Sequence, residues 1–124
     1  MAEKHPTFAN GKICYIVIPA IDINKSATFY KDVFGWKTRQ RSDGSISFDD
    51  AAGEVSGMWV SGREAFKGTG LMIHIMVYDM AESIEAVTSH GGKIVQPVDK
   101  AATEVTATFS DPAGNVFGLY QHGK

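Results

Sequence analysis

Residues 16–35, IVIPAIDINKSATFYKDVFG, are answered by residues 73–92, IHIMVYDMAESIEAVTSHGG. One offset of 57 residues sets Ile16 on Ile73, Ile18 on Ile75, Asp22 on Asp79, Ser26 on Ser83 and Gly35 on Gly92, and then Gly57 on Gly114. The coincidences keep one order: strand core, helix start, helix body, helix end, late turn. Self-similarity at a fixed spacing marks a repeated supersecondary unit. Residues 13–19 are rich in β-branched side chains and close on Pro19, which predicts a strand. Asp22 or Asn24 supplies a short side-chain oxygen for a free N–H of the next helical turn. Ala27, Tyr30, Val33 and Phe34 then lie at helical spacing on one apolar stripe. Gly35 stops that helix, because glycine enters the left-handed region without a Cβ clash. The second copy repeats the logic, with a strand over 71–77, Asp79 as cap, Met80, Ile84 and Val87 as stripe, and Gly91-Gly92 as stop.

Working outward, each helix is followed by short strands separated by turn residues. They are expected at about 36–41, 45–50 and 55–61, and again at about 93–96, 103–110 and 115–121. Ser42-Asp43-Gly44 and Asp111-Pro112-Ala113-Gly114-Asn115 carry turn chemistry, Pro fixing φ and Gly supplying a positive φ. The unit is βαβββ, twice: a first module over 12–61, a glycine-containing linker over 62–70 and a second module over 71–121, within one domain spanning 1–124. The expected class is α+β, two tandem βαβββ modules forming a concave mixed β-sheet cup with the helices on the outside. Each sheet has one face covered by its helix, and the other must meet something. A concave sheet surface is a natural place for a ligand.

The composition sets outer bounds. Hydrophobic residues make up 44% and charged residues 21% of the 124, ordinary for a globular chain. No stretch is apolar for long enough to span a bilayer. Twelve Lys and Arg face fourteen Asp and Glu, a net charge of -2, evenly divided between the halves. No basic block could neutralise a row of phosphates, so nucleic acid and membrane are not expected partners. One cysteine, Cys14, gives no disulfide framework and no Cys-rich zinc site. The N-terminal twelve residues are polar and show no secretory signal, so a cytoplasmic location is expected. Ser-His-Asp spacing, HExxH and GxGxxG are all missing from the sequence.

Two segments carry a resemblance. Asp22…Ser26…Phe29-Tyr30…Val33-Phe34-Gly35-Trp36, with Asp111-Pro112-Ala113-Gly114-Asn115-Val116-Phe117-Gly118-Leu119-Tyr120-Gln121 much later, resembles the vicinal oxygen chelate superfamily. This is the glyoxalase, bleomycin-resistance and extradiol-dioxygenase group. The resemblance runs from about Ile13 to Gln121 and implies the fold above, a small-molecule ligand and a homodimer, closed two-fold symmetry being the commonest assembly. It does not settle the chemistry, because the superfamily spans metal-dependent lyases, isomerases and dioxygenases as well as proteins that only sequester a drug.

The superfamily's metal enzymes place ligands at four strand positions, two per module. Counted from the helix-start Asp residues and from the Gly-Asn turn, those positions fall on Tyr15, Ser61, Met72 and Gly118. None is His, Glu, Asp or Gln, and a tyrosine, a serine, a thioether and a glycine do not supply the several nitrogen or oxygen donors that a divalent cation needs. The expectation is therefore no cofactor, with a divalent metal disfavoured. His74 points the same way as Met72 but is one imidazole, His5 and His122 are near the termini, His90 is at a helix end, and Glu54 and Glu104 enter only if their loops fold inward.

The expected ligand-binding set is Tyr15, Val17, Met58, Met72, His74, Met76, Gly118 and Tyr120. His74 and Tyr15 are the candidates for acid/base work or ligand anchoring, since imidazole titrates near neutral pH and a phenol can donate to a ligand oxygen. The alternative for His74 is a structural histidine bonded to a neighbouring strand, and for Tyr15 an aromatic filling space. Gly118 leaves an opening where the superfamily has a carboxylate, or lets an aromatic ring pack in. The methionines suit an adaptable apolar pocket but equally a core. Trp36 reads as core and Trp59 as core or rim. Cys14 is out of phase with Tyr15 and is expected to face the helix, buried and inert. Lys37, Arg39 and Arg41 alternate as on an exposed strand edge. The functional expectation is a protein that binds a small, largely apolar molecule in the sheet cavity, without the usual metal centre. The alternatives are a metal-dependent glyoxalase-like lyase, isomerase or dioxygenase, and a dimerisation module with no ligand.

Overall fold

The computed structural model describes residues 6–121. Its element order is β1 (Tyr15–Pro19), α1 (Ile23–Phe34), β2 (Lys37–Gln40), β3 (Ile46–Asp49), β4 (Ser56–Val60), then β5 (His74–Val77), α2 (Met80–Ser89), β6 (Lys93–Gln96), β7 (Val105–Ser110) and β8 (Val116–Gln121). The α+β class and the doubled βαβββ order are those expected from the repeat. The chain divides into two compact units between Arg63 and Glu64.

In the first unit four strands run in the order β1-β4-β3-β2. β1 pairs parallel with β4, and the other neighbours pair antiparallel. Asp22, not Asn24, caps α1: its side chain accepts from Lys25 N, and Gly35 ends the helix at φ 74. Strand alternation sends Ile16, Ile18, Trp59, Ile46 and Phe48 toward the helix side. There the rings of Tyr30, Trp36 and Phe48 form a stack with centroid separations of 4.6 Å at both steps, and Trp59 closes against Phe48 at 4.8 Å. Trp36 and Trp59 are both core. Gly57 makes this possible, because a Cβ there would lie 2.4 Å from the Phe48 ring and 2.1 Å from the Ile16 carbonyl oxygen.

The second unit has the order β5-β8-β7-β6, again with one parallel pair, β5 and β8. Val77, Ala107, Phe109, Phe117 and Leu119 are buried with Met80 and Val87 of α2. Asp79 caps α2 by accepting from Glu82 N. Gln121 adds a second cap, since its Oε1 accepts from Met80 N at 2.7 Å.

The turn before the last strand is closed from within. Asp111 Oδ1 accepts from Ala113 N and Asn115 N, and Asp111 Oδ2 accepts from Asn115 Nδ2, each at 2.9 Å. Gly114 turns through φ 94, where a side chain would be strained. Asn115 Oδ1 then accepts from Phe66 N at 2.8 Å, which ties the 64–70 segment to the sheet. The first unit has a simpler counterpart, in which Asp50 Oδ1 accepts from Glu54 N and Val55 N.

Three details differ from the sequence expectation. β1 begins at Tyr15 rather than at 13, because its partner β4 begins at Ser56 and earlier residues have no ladder to join. β5 begins at His74 rather than at 71. The start of β8 is met by the Phe66 segment, Val116 N donating to Phe66 O. Cys14 is exposed, not buried beneath the helix. α1 packs over β2, β3 and β4, so β1's entry lies outside its cover.

Asn115→Ala is expected to lower unfolding stability by about 1–3 kcal/mol, since it takes the Nδ2 donor from the buried Asp111 carboxylate and leaves the Phe66 N–H without its acceptor. Urea denaturation checks this, and a loss within about 0.5 kcal/mol, the range of an ordinary surface change, would sink the structural role assigned to the turn.

Candidate functional site

Each sheet has a face turned away from its helix, and the strand registers say what it carries. On the first sheet Tyr15 lies opposite Ser56 and Val17 opposite Met58. Ser47 lies next to Met58, and Arg39 next to Ser47. On the second sheet His74 lies opposite Gly118, Gly118 opposite Thr108, and Thr108 opposite Gln96, giving one row across all four strands. Met76, Tyr120 and Thr106 form the next row, and Val116, Ser110 and Lys93 the row before.

The structure thus brings Tyr15, Val17 and Met58 together on one open face, and His74, Met76, Gly118 and Tyr120 on another. Met72 stands just ahead of β5, where its Cε lies 3.4 Å from the place a Cβ on Gly68 would take. Tyr15 is 46% exposed and Met76 64% exposed, so both are available surface rather than core among the described residues.

His74 and Gly118 are in direct contact. A Cβ built on Gly118 would lie 2.4 Å from His74 Cδ2 and 2.6 Å from Nε2. The imidazole therefore lies over the glycine, in the space a side chain on β8 would occupy. No hydrogen bond reaches this imidazole among the described residues. The ring is not tied to a neighbouring strand, as the structural alternative required.

The repeat count misassigned one position. Val17 and His74 are counterparts through the two capping aspartates, and Val17 pairs with Met58 where His74 pairs with Gly118. Met58, not Ser61, is thus the first unit's counterpart of Gly118; Ser61 lies beyond β4 and is exposed. The offset grows because β7 and its approach are longer than β3 and its approach.

The possible rescuing donors are engaged or distant. Glu54 pairs with Lys12 at 3.5 Å and accepts from Thr7. His90 Nδ1 stays within hydrogen-bond distance of Ala86 O at the end of α2. Glu104 sits exposed in the loop before β7. His5 and His122 lie outside the described residues. Among the described residues no group of three or more His, Cys, Asp or Glu gathers where a metal could sit. Phenol, thioether and glycine do not make up a divalent cation's donor set.

The first sheet's open face holds a charged network that the sequence did not signal. Arg39 pairs with Asp49 Oδ2, and Ser56 Oγ donates to Asp49 Oδ1 at 2.7 Å. The Ser56 hydrogen bond, reinforced by Arg39, holds the Asp49 carboxyl below its ordinary 3.8. Asp43 is lowered too, by Ser45 Oγ and Ser45 N within the β2–β3 turn. Ser47 Oγ, beside this network, is buried with no partner among the described residues.

With the geometry in place, comparison with known proteins is decisive for the family. The profile of the Glyoxalase-like domain family matches residues 15–120. The chain belongs to the glyoxalase-like domain family. A glyoxylase-like domain-containing protein of Didymella fabae is 34% identical over 120 residues, covering 89% of this chain and 93% of that one. The fold matches a genomically encoded fosfomycin resistance protein of Listeria monocytogenes with a TM-score of 0.76 at 18% identity, covering 93% of this chain and 94% of that one. It also matches a member of the glyoxalase/bleomycin resistance protein/dioxygenase superfamily from Sphaerobacter thermophilus, TM-score 0.73 at 19% identity, covering 90% and 98%. At such identities these structures establish the shared architecture and nothing of the chemistry. No helix among the described residues is long and apolar enough to cross a membrane.

Asp49→Asn tests the charged network. A carboxylate held below its unfolded value stabilises the fold above that value and loses this contribution as pH falls through the folded value. The wild type is therefore expected to exceed the variant by up to about 1 kcal/mol near neutrality, the scale of a part-exposed pair. The gap should close progressively below pH 3.8. Thermal melts of both proteins across that range check it, and a gap independent of pH would show that the charge is not its source.

Proposed function

We propose that the chain is a small-molecule-binding domain that works without the divalent metal usual in its superfamily. The observation that carries this reading is the imidazole of His74 lying across Gly118, the position that resembles the superfamily's carboxylate ligand. At that position the His74 ring, with no hydrogen-bond partner among the described residues, lies beside exposed Met76 and half-buried Tyr120. Apolar surface beside polar groups is what a small, largely apolar molecule needs: area for burial and groups that fix its orientation. Tyr15, Val17 and Met58 on the first sheet offer a similar apolar surface.

The rival readings are a metal-dependent glyoxalase-like lyase, isomerase or dioxygenase, and an interaction module with no ligand. Elemental analysis of protein purified without chelator separates the first rival. We expect metal far below one equivalent, and a stoichiometric Ni, Zn, Mn or Fe overturns the proposal. Thermal-shift screening against a metabolite panel separates the second. A compound at a hundred times its Kd stabilises the fold by about 2.7 kcal/mol. The three atoms nearest a Cβ on Gly118 all belong to the His74 ring, so Gly118→Ala should displace that ring and remove the stabilisation, with the unliganded melting midpoint checking that the variant folds. A ligand that binds wild type and Gly118→Ala equally would place binding elsewhere.

A further inference from the structure

The open face of the second sheet is one-sided in its chemistry. Its rows contain His74, Thr108, Gln96, Thr106, Tyr120, Ser110 and Lys93, every one able to donate a hydrogen bond, and among the described residues no strand position on this face is a carboxylate. The hydroxyls of Thr106, Thr108 and Ser110 meet no acceptor among the described residues, and neither do the Lys93 ammonium and the His74 ring. The first sheet differs. There the face cation Arg39 is neutralised by Asp49, which Ser56 also serves. A face of unspent donors with a cation at its edge complements a negative group, and charge-assisted hydrogen bonds are the strong ones.

We propose that His74, Thr108 and Gln96, the row that crosses the second sheet through Gly118, bind the oxyanion of a small molecule whose apolar body lies along Met76 and Tyr120. This deepens the small-molecule reading above and rests on it. The position that resembles a cation's carboxylate ligand would then serve an anion. Gly118 is the enabling residue. With no side chain on β8, the imidazole lies over the strand, and neighbouring strands only about 4.8 Å apart bring the Thr108 hydroxyl to the next position of the row. Lys93, one row away on β6, adds long-range attraction. The shared ligand chemistry is a carboxylate, phosphate or phosphonate. The geometries differ in oxygen count, two against three, and either can accept from three donors, so relative affinity separates them.

The test is calorimetric titration of the full chain with phenylacetate, phenylphosphonate and the neutral 2-phenylacetamide, at constant ionic strength. Both anions are expected to bind about tenfold or more tightly than the amide, the factor that loss of charge-assisted hydrogen bonds implies. Thr108→Val and Gln96→Leu should each cut anion affinity several-fold and leave amide affinity unchanged. Lys37→Ala, a cation on the first sheet, should change nothing, and unliganded melting midpoints verify that each variant folds. Equal binding of amide and anions, with loss of both in His74→Ala, overturns the anion inference and leaves the small-molecule reading standing. No binding by any of the three probes overturns the anion inference. If the metabolite panel is also silent, the reading beneath it falls as well. Tighter phosphonate than carboxylate assigns the three-oxygen class, and the reverse order assigns the carboxylates.

Discussion

The parallel pairing of β5 with β8 is the constraint on which the candidate site depends. His74 opens β5 and Gly118 lies in β8, the last strand, yet the two stand opposite each other in the ladder. A parallel pair needs a long crossover, and here that crossover is α2 followed by the β6–β7 ribbon. Nothing local fixes such a register. On its other side β8 is registered against β7 by their hairpin, which the Asp111–Asn115 turn closes. Slipping β8 by one residue would turn Phe117 and Leu119 out of the core and Gly118 into it. The motif that resembles the superfamily is thus first a device for register. Its Asp and Asn serve the backbone, and its Gln121 serves the first turn of α2.

The two units solve one problem with different interiors. The first fills the space between helix and sheet with stacked rings, Tyr30 on Trp36 on Phe48, and admits Phe48 only because Gly57 has no side chain. The second uses aliphatic residues with Phe109 and Phe117, whose rings stack at 6.0 Å. The conserved quantity within the molecule is the arrangement of caps and strands, not the contents of the core. Cores tolerate such exchange when volume and patterning are kept. The open faces diverge as well, and this matters for ligands. One carries an ion pair that satisfies itself, and the other carries donors with no acid among them.

Glycine has two opposite uses on these sheets. At Gly57 the missing Cβ lets a ring pack inward against the helix side. At Gly118 it lets a ring lie outward on the open face. Neither residue has a positive φ, so the demand in both cases is for room and not for an unusual backbone. The inward case is a matter of stability. The outward case lays the His74 ring over the opening that Gly118 leaves.

The sequence by itself determined the doubled βαβββ order, the Asp79 cap, the choice of Asp22 or Asn24 for the other helix, the glycine stops and the membership of the inward and outward faces. These follow from local chemistry: a short acceptor before a helix, a positive φ at Gly35, and alternation along a strand. It also marked Gly118 as an opening and His74 as a candidate. Tertiary structure alone decided which residues meet across strands. The count along the repeat gave Ser61 where the ladder gives Met58, since a few added residues in the second module shift the register without disturbing any local pattern. Cys14 was expected beneath a helix because alternation gives parity but not the length of a helix's cover. The contact of His74 with Gly118, and the neutralising of Arg39 by Asp49, arise between residues distant in the chain. Only the closed ladder brings them together, because pairing is a property of neighbouring strands and leaves no periodic trace in either one.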